Sequence, residues 1–292
     1  MYPAKIDDYS RPATIAEAVA ALASFGVGEA MCIAGGMSLM QAIKSRLVRP
    51  ACLVDLQDVA ELRGIRGSGG ALSIGAMTRY VEIAGHAPFA SGPFAALRDA
   101  ASHVGDRQVR NRGTIGGSLC WNYMAACLPA AVLALGATLR LVGPGGERTI
   151  AIDDFLIGPL ETARGEQEVL VSIDWKSAPA RSGSAYKKWG LVKDALPVVG
   201  VAALVTLEAN GACSAARLAL AGLTAGAQRV PAGEAALLGS KGDAASLDRA
   251  LEAVCANVDL HSDHWADAAY RGQLVRQLGR DVLTSAFARA KN

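Results

Sequence analysis

Clustered metal ligands are missing from this 292-residue sequence. Its six cysteines (Cys32, Cys52, Cys120, Cys127, Cys213 and Cys255) are scattered and form no C-x-x-C pair. Zinc and iron–sulfur sites normally show clustered spacing, so these read as reduced cytoplasmic thiols. Histidine is scarce: four in all, with one close pair, His261 and His264 in "HSDH". On a helix that pair could bind metal. The plainer reading is a solvated loop or helix start with Ser262 or Asp263 as a cap.

Charge of one sign is also lacking. Lys+Arg 29 against Asp+Glu 27 leaves a net charge of +2, which gives no electrostatic case for nucleic acid or an anionic membrane as partner. No long apolar run is unbroken: "AACLPAAVLALGATLRLV" at 125–142 is interrupted by Pro129, Gly136 and Arg140. A transmembrane helix wants ~20 unbroken apolar residues, so this stretch reads as a buried helix passing into a strand. The N-terminal "MYPAKIDDYSRP" has no basic region leading into an apolar run, and no secretory signal is expected.

What is present suits an ordered globular chain: 51% hydrophobic against 19% charged residues. The length suits two domains of ~100–200 residues each. "TIAEAVAALASFG" at 14–26 has helical spacing and ends on glycine, and "SLMQAIKSRLVRP" is helical up to its proline. "CLVDL" and "ALSIGAMT" read as strands, "RYVEIAGH" and "PFAALRDAASHV" as helices. The passage holding Gly158, Pro159, Gly165 and Glu166 reads as irregular. From 168 to 223 successive strands of an antiparallel sheet are expected, with "EANGA" at 208–212 as a hairpin turn whose Asn210-Gly211 pair suits positive φ angles. Only helices are expected after Pro231. "KSAPARSG" at 176–183 has the composition of a linker. Strands followed by a run of helices indicate an α+β class.

Two glycine-rich stretches remain. "CIAGGMSLM" at 32–40 has a buried strand, a glycine pair and then a helix start. "RNRGTIGGSLCWN" at 110–122 puts Gly113, Gly116 and Gly117 among the hydroxyls of Thr114 and Ser118, behind Arg110 and Arg112. Backbone N–H groups in such turns can form an anion-binding concavity. Neither stretch contains G-x-G-x-x-G or G-x-x-x-x-G-K-[ST], so Rossmann and P-loop readings lose their main support. Each alone is equally well a tight turn, with Ser38 an ordinary N-cap. Together they could hold the two ends of one dinucleotide.

"AGGMSLM" and "QVRNRGTIGGSL" resemble the paired motifs of the FAD-binding medium subunit of molybdenum hydroxylases, the carbon monoxide dehydrogenase and xanthine dehydrogenase flavoprotein family. "IGAMTRYVEI", "LPAAVLALGA", "GPLETA", "SAYKKWG" and "AAYRGQLVRQLGR" follow in the family's order, so the resemblance spans nearly the whole chain. It implies a two-subdomain FAD-binding domain of the PCMH (vanillyl-alcohol oxidase-like) type over 1–177. A C-terminal domain of antiparallel sheet plus helical bundle would cover 178–292. The cofactor site it implies is Ala34, Gly35, Gly36, Met37, Ser38 and Leu39 around the pyrophosphate, with Gly113, Thr114, Gly116, Gly117 and Ser118 as a second cradle. Ile115 would shield the flavin face, and Leu160 with Lys187 or Lys188 would complete the pocket. The family's D-P-A-A-D-L-P-A reads Y-M-A-A-C-L-P-A here, so Cys127 stands where an aspartate usually meets the nucleotide.

The resemblance further implies an oxidoreductase subunit that carries electrons through FAD to an external acceptor, with no catalytic acid, base or metal ligand of its own. The molybdenum cofactor would sit on a large partner subunit and the [2Fe–2S] clusters on a small one, in a cytoplasmic dimer of heterotrimers. No cysteine-rich insertion for a further cluster is present. Arg107, Arg110 and Arg112 would brace their loop or face a partner, or equally form a plain solvated basic surface. The rival readings are a subunit of the same complex that has lost FAD, to which Tyr123 and Cys127 point, and a stand-alone flavin oxidoreductase.

Overall fold

The computed structural model describes residues 5–291. The chain opens with strand β1 (Asp8–Ser10), helix α1 (Ile15–Ala23), strand β2 (Ala30–Ile33), helix α2 (Leu39–Lys44) and strand β3 (Cys52–Asp55). Thr14 caps α1 by accepting from the Glu17 N–H at 3.1 Å. The helix buries Ala18, Val19 and Leu22, and the three strands pair in parallel in the order β1-β3-β2.

A second sheet follows, begun by β4 (Ile65–Ser68) and β5 (Ala71–Gly75). Five helices come next: α3 (Tyr80–Gly85), α4 (Ala95–Ser102), α5 (Arg107–Arg112), α6 (Ile115–Trp121) and α7 (Cys127–Leu135). Then come β6 (Thr138–Gly143), β7 (Gly146–Ala151), α8 (Ile152–Phe155), the hairpin β8 (Leu156–Gly158) and β9 (Glu161–Thr162), and β10 (Val169–Trp175). β10 returns between β5 and β6 to give an antiparallel sheet of order β4-β5-β10-β6-β7. Val169 and Val171 face the α1 core, whereas Leu170, Ile173 and Trp175 face the α7 core. A bulge between Leu170 and Ser172 shifts the alternation and lets one strand serve both.

The last unit is β11 (Ser182–Trp189), β12 (Val199–Leu207), β13 (Cys213–Ala221) and β14 (Gln228–Arg229), antiparallel in sequence order. Helices α9 (Pro231–Leu237), α10 (Ala244–Ala256) and α11 (Ala268–Lys291) complete it. Val199, Val201, Ala203 and Val205 of β12 point to these helices, while Ala202 points the other way with Ala219 and Ala221 onto α7. α7 is therefore enclosed between two sheets, and all nine of its residues are buried.

The α+β expectation holds, as does the helix-to-strand reading of 125–142. Three local readings change. "RNRGTIGG" is two helices meeting at Gly113-Thr114 rather than a loop. Helix α2 stops at Lys44 rather than running up to Pro50; the hairpin turn expected at 208–212 is present, with Gly211 but not Asn210 left-handed (φ 83°). The irregular passage contains the β8–β9 hairpin. His261 and His264 lie in the loop before α11, where Asp263 accepts from the N–H groups of Trp265 and Ala266 and pairs with the buried Arg271 at 2.7 Å. Among the described residues no group of three or more His, Cys, Asp or Glu could hold a metal, and no helix is long and apolar enough to cross a membrane.

Charged pairs fasten the C-terminal unit to the rest. Asp153 on α8 takes Arg217 of β13 at 2.7 Å and Arg229 at 2.9 Å, and Arg289 of α11 reaches Asp99 of α4 at 2.6 Å. Burial alone would raise the Asp153 carboxyl, but its two arginines prevail and hold it below the ordinary carboxylate range. A depressed folded-state pKa stabilises above the unfolded value and loses that contribution as pH falls through the folded one. Asp153→Asn is expected to lower stability at neutral pH by about 1 kcal/mol, allowing for the partial exposure of the pairs. That is a fall of ~2–4 °C in Tm. The difference from wild type should shrink as pH drops below the carboxylate range, which thermal melts across pH will check.

Candidate functional site

The two glycine stretches come together. The turn after β2 packs its backbone directly on the α5–α6 junction. A Cβ built on Gly35 would overlap the carbonyl oxygen of Arg112 and lie 2.6 Å from that carbonyl's carbon and 2.9 Å from Gly113 Cα. Gly36 is left-handed at φ 73°. A Cβ on Gly116 would sit 2.7 Å from the Ala76 carbonyl oxygen. These glycines are required first by close approach of protein to protein.

Between the turns lies a cavity of about 150 Å³. Ala34, Gly35, Gly36, Met37, Ser38, Leu39, Gly113, Thr114, Gly116, Gly117 and Ser118 all line it. It is smaller than the ~300–1,000 Å³ of a usual small-molecule pocket, so it suits a portion of a dinucleotide and not the whole. A hollow of about 400 Å³ beside the β6–β7 turn is larger. It contains none of the residues expected to bind the cofactor.

The two stretches contribute differently. In the second, the backbone donors are already spent. Ile115 N–H goes to Thr78 at 3.0 Å, Gly116 N–H to Ala76 at 2.8 Å, and Ser118 N–H to the Thr114 carbonyl at 3.1 Å. Gly117 N–H goes to the Thr114 hydroxyl at 3.1 Å, which makes Thr114 the N-cap of α6. Gly117 is helical, so its value is absence of bulk rather than left-handed freedom. In the first, the Ser38 hydroxyl makes no capping bond. The N–H groups that open a helix have no intrahelical acceptor, so Met37, Ser38 and Leu39 retain donors. The first turn therefore keeps free donors, and the second contributes a wall without side-chain bulk.

The remaining expected residues are not on the cavity wall. Ile115 is fully buried in the core beneath it. Cys127 lies behind Tyr80, a lining residue whose phenol burial pushes up to about 12. Burial likewise raises the Cys127 thiol, with the Tyr186 phenol and Lys188 opposing. The Tyr186 hydroxyl is near that thiol but forms no hydrogen bond of good geometry. Lys187 pairs with Asp281 of α11 at 2.6 Å. Lys188, one residue on and so on the opposite face of β11, bonds the Ala195 carbonyl on the Cys127 side, and burial lowers its pKa. Leu160 is half exposed at the tip of the β8–β9 hairpin, strained at φ 62°. Asn122 holds that hairpin, its amide donating to the carbonyls of Gly158 (2.7 Å) and Glu161 (3.0 Å).

Lining residues not assigned to the site from the sequence include Cys32, Tyr80, Cys120, Trp121, Arg164 and Glu168. Cys32, Cys120 and Trp121 lie within the two glycine stretches and Tyr80 within a further matching segment; of these residues only Arg164 and Glu168, on the loop before β10, lie outside every quoted motif. Of the three arginines, Arg110 braces the loop through the carbonyls of Val104 and Gly105, and Arg107 and Arg112 are exposed.

Residues 4–174 match the family model described as the FAD binding domain in molybdopterin dehydrogenase. The chain belongs to that family. Residues 184–286 match the CO dehydrogenase flavoprotein C-terminal domain. The carbon monoxide dehydrogenase medium chain of Hydrogenophaga pseudoflava is 33% identical over 282 residues, 97% of each chain. The nicotine 6-hydroxylase medium subunit of Paenarthrobacter nicotinovorans is 30% identical over 281 residues, 96% of this chain and 97% of that one. In the solved structure of carbon monoxide dehydrogenase from Hydrogenophaga pseudoflava lacking the Mo-pyranopterin moiety, one chain superposes with a TM-score of 0.92. It is 34% identical and 99% of both chains is covered.

A side chain at position 35 would part the two turns of this family's cavity. Gly35→Ala is expected to destabilise the protein by about 1–3 kcal/mol, the cost of forced overpacking. It should also abolish flavin uptake in the fraction that stays folded. Thermal melts with flavin titration measure both; a variant with wild-type stability would mean the loops separate freely.

Proposed function

We propose that this chain is the FAD-binding electron-transfer subunit of a multi-subunit molybdenum hydroxylase. It would pass electrons from [2Fe–2S] clusters on a small subunit through FAD to an external acceptor, while the molybdenum cofactor acts on a large subunit. The observation that carries the reading is the cavity between the two glycine turns, inside a domain of the FAD-binding family. Its donor set fits an anionic dinucleotide: unspent N–H groups and a free hydroxyl at Met37–Leu39, and glycine walls that admit backbone-close approach.

In this reading Ala34 to Leu39 hold the diphosphate. Gly113, Thr114, Gly116, Gly117 and Ser118 shape the opposite wall, with Ile115 supporting it from the core. Leu160, Lys188 and, behind Tyr80, Cys127 lie toward the flavin. Lys187 is committed to Asp281 and Lys188 is not, which favours Lys188 for that position. FAD when bound supplies the redox chemistry; the chain's residues bind it, orient it and exclude water. A subunit that has lost FAD is less favoured, because neither Cys127 nor Tyr123 is on the cavity wall. The complex would be a cytoplasmic dimer of heterotrimers, with domains over 1–177 and 178–292.

The protein is expected to release FAD, and not FMN, on denaturation, as chromatography of the released cofactor will show. The isolated chain should oxidise no organic substrate while retaining diaphorase-type activity. Release of FMN alone, or substrate turnover by the metal-free chain, contradicts the proposal.

A carboxylate in contact with a ligand contributes roughly 1.5–3 kcal/mol where a thiol accepts only weakly. Cys127 is buried behind Tyr80 and off the cavity wall, so Cys127→Asp is expected to leave FAD affinity about unchanged and to lower stability by about 1–3 kcal/mol, the cost of an unpaired buried polar group. Titration of the deflavinated proteins followed by flavin fluorescence, with thermal melts, decides it. Tighter binding in the variant would mean that position 127 meets the cofactor.

A further inference from the structure

Arg164 has no place in the paired glycine motifs, yet it is the guanidinium among the residues lining the cavity. Its Nη1 is anchored on three backbone carbonyls of its own loop, those of Gly165 (2.9 Å), Glu166 (3.2 Å) and Glu168 (2.8 Å). A guanidinium held this way has a fixed plane. Its charge acts on Cys32 of β2 and Cys120 of α6, which line the cavity with it. Burial pushes the Cys32 thiol up to about 11, so these neighbours are uncharged.

The position of the free donors separates this end of the cavity from the diphosphate. The unspent backbone donors are at Met37–Leu39, on the glycine turn. Glu168 also lines the cavity beside the Arg164 loop, but its carboxylate is neutralised by Arg148 at 2.6 and 2.7 Å and accepts from the Gly165 N–H at 2.6 Å, so it adds no net charge to this end. What remains is a flat cation among neutral thiols and the apolar side chains of Met31, Val169 and Leu170. That surface suits a neutral aromatic ring.

We propose that Arg164 lays its guanidinium plane against the purine base of the dinucleotide, and so sets the preference for an adenine dinucleotide over the mononucleotide. The inference rests on the FAD-binding reading above. It assigns the interaction to the shape of the guanidinium, since charge attraction to phosphate would be met equally by lysine.

The test uses the full deflavinated chain with FAD, AMP and FMN as probes. Arg164→Ala and Arg164→Lys should each weaken FAD by about 5- to 30-fold, weaken AMP by the same factor, and leave FMN unchanged. AMP bound to the wild type should show the hypochromic ultraviolet change of a stacked base, a readout that needs no variant to fold. A lysine variant that binds FAD as tightly as wild type would overturn the proposal by assigning the effect to charge. Weakened FMN with unchanged AMP would overturn it by placing the flavin end at Arg164, and AMP binding without hypochromism would overturn it as well. Wild-type chain that binds no FAD would instead remove the functional reading on which the inference stands.

Discussion

The contact between Gly35 and the Arg112 carbonyl is the constraint on which the site depends. Two backbone segments from distant parts of the chain meet with no side chain between them. One hangs from the parallel sheet through β2, and the other is the junction of α5 and α6, fixed to the second sheet through the bonds of Ile115 and Gly116 to Thr78 and Ala76. The two sheets and their cores are thereby set at one spacing, and the cavity is the gap left alongside.

A similar economy of side-chain volume joins the two larger units. α7 has no polar face, because it is covered on one side by the five-stranded sheet and on the other by β12 and β13. Alanines at 202, 219 and 221 let the four-stranded sheet approach it, while the valines of β12 point to the C-terminal helices. Apolar burial of this kind is non-directional. The ion pairs of Asp153 with Arg217 and Arg229, and of Arg289 with Asp99, add orientation to it.

This arrangement suits a protein whose task is to position a cofactor. The donors that an anionic group needs are gathered on one turn, and the facing turn has spent its own on the protein. Rigidity on one wall and unsatisfied donors on the other give a site that holds a ligand in one orientation. Among the described residues no metal-binding cluster competes with that role.

Most of the element types were legible in the sequence, since helical and strand periodicities at 14–26, 125–142 and 197–211 reflect which faces are buried. The glycine turns were legible too, because small residues in close succession have few other uses. Their roles were not. Whether Gly116 and Gly117 present N–H groups or consume them depends on Ala76 and Thr114, and whether Ser38 caps its helix depends on a backbone angle. Likewise, that Lys187 is held in an ion pair depends on Asp281, a residue ninety-four positions away. Arg164 and Glu168 lie in no motif, and nothing in the two glycine stretches pairs Cys32 and Cys120 with them. They share a cavity because parallel pairing of β2 and the return of β10 bring their segments together. The sequence by itself determined periodicity, composition and the places where backbone must come close. Long-range pairing decided which donors stay free and which side chains meet, because both depend on neighbours that only the folded chain supplies.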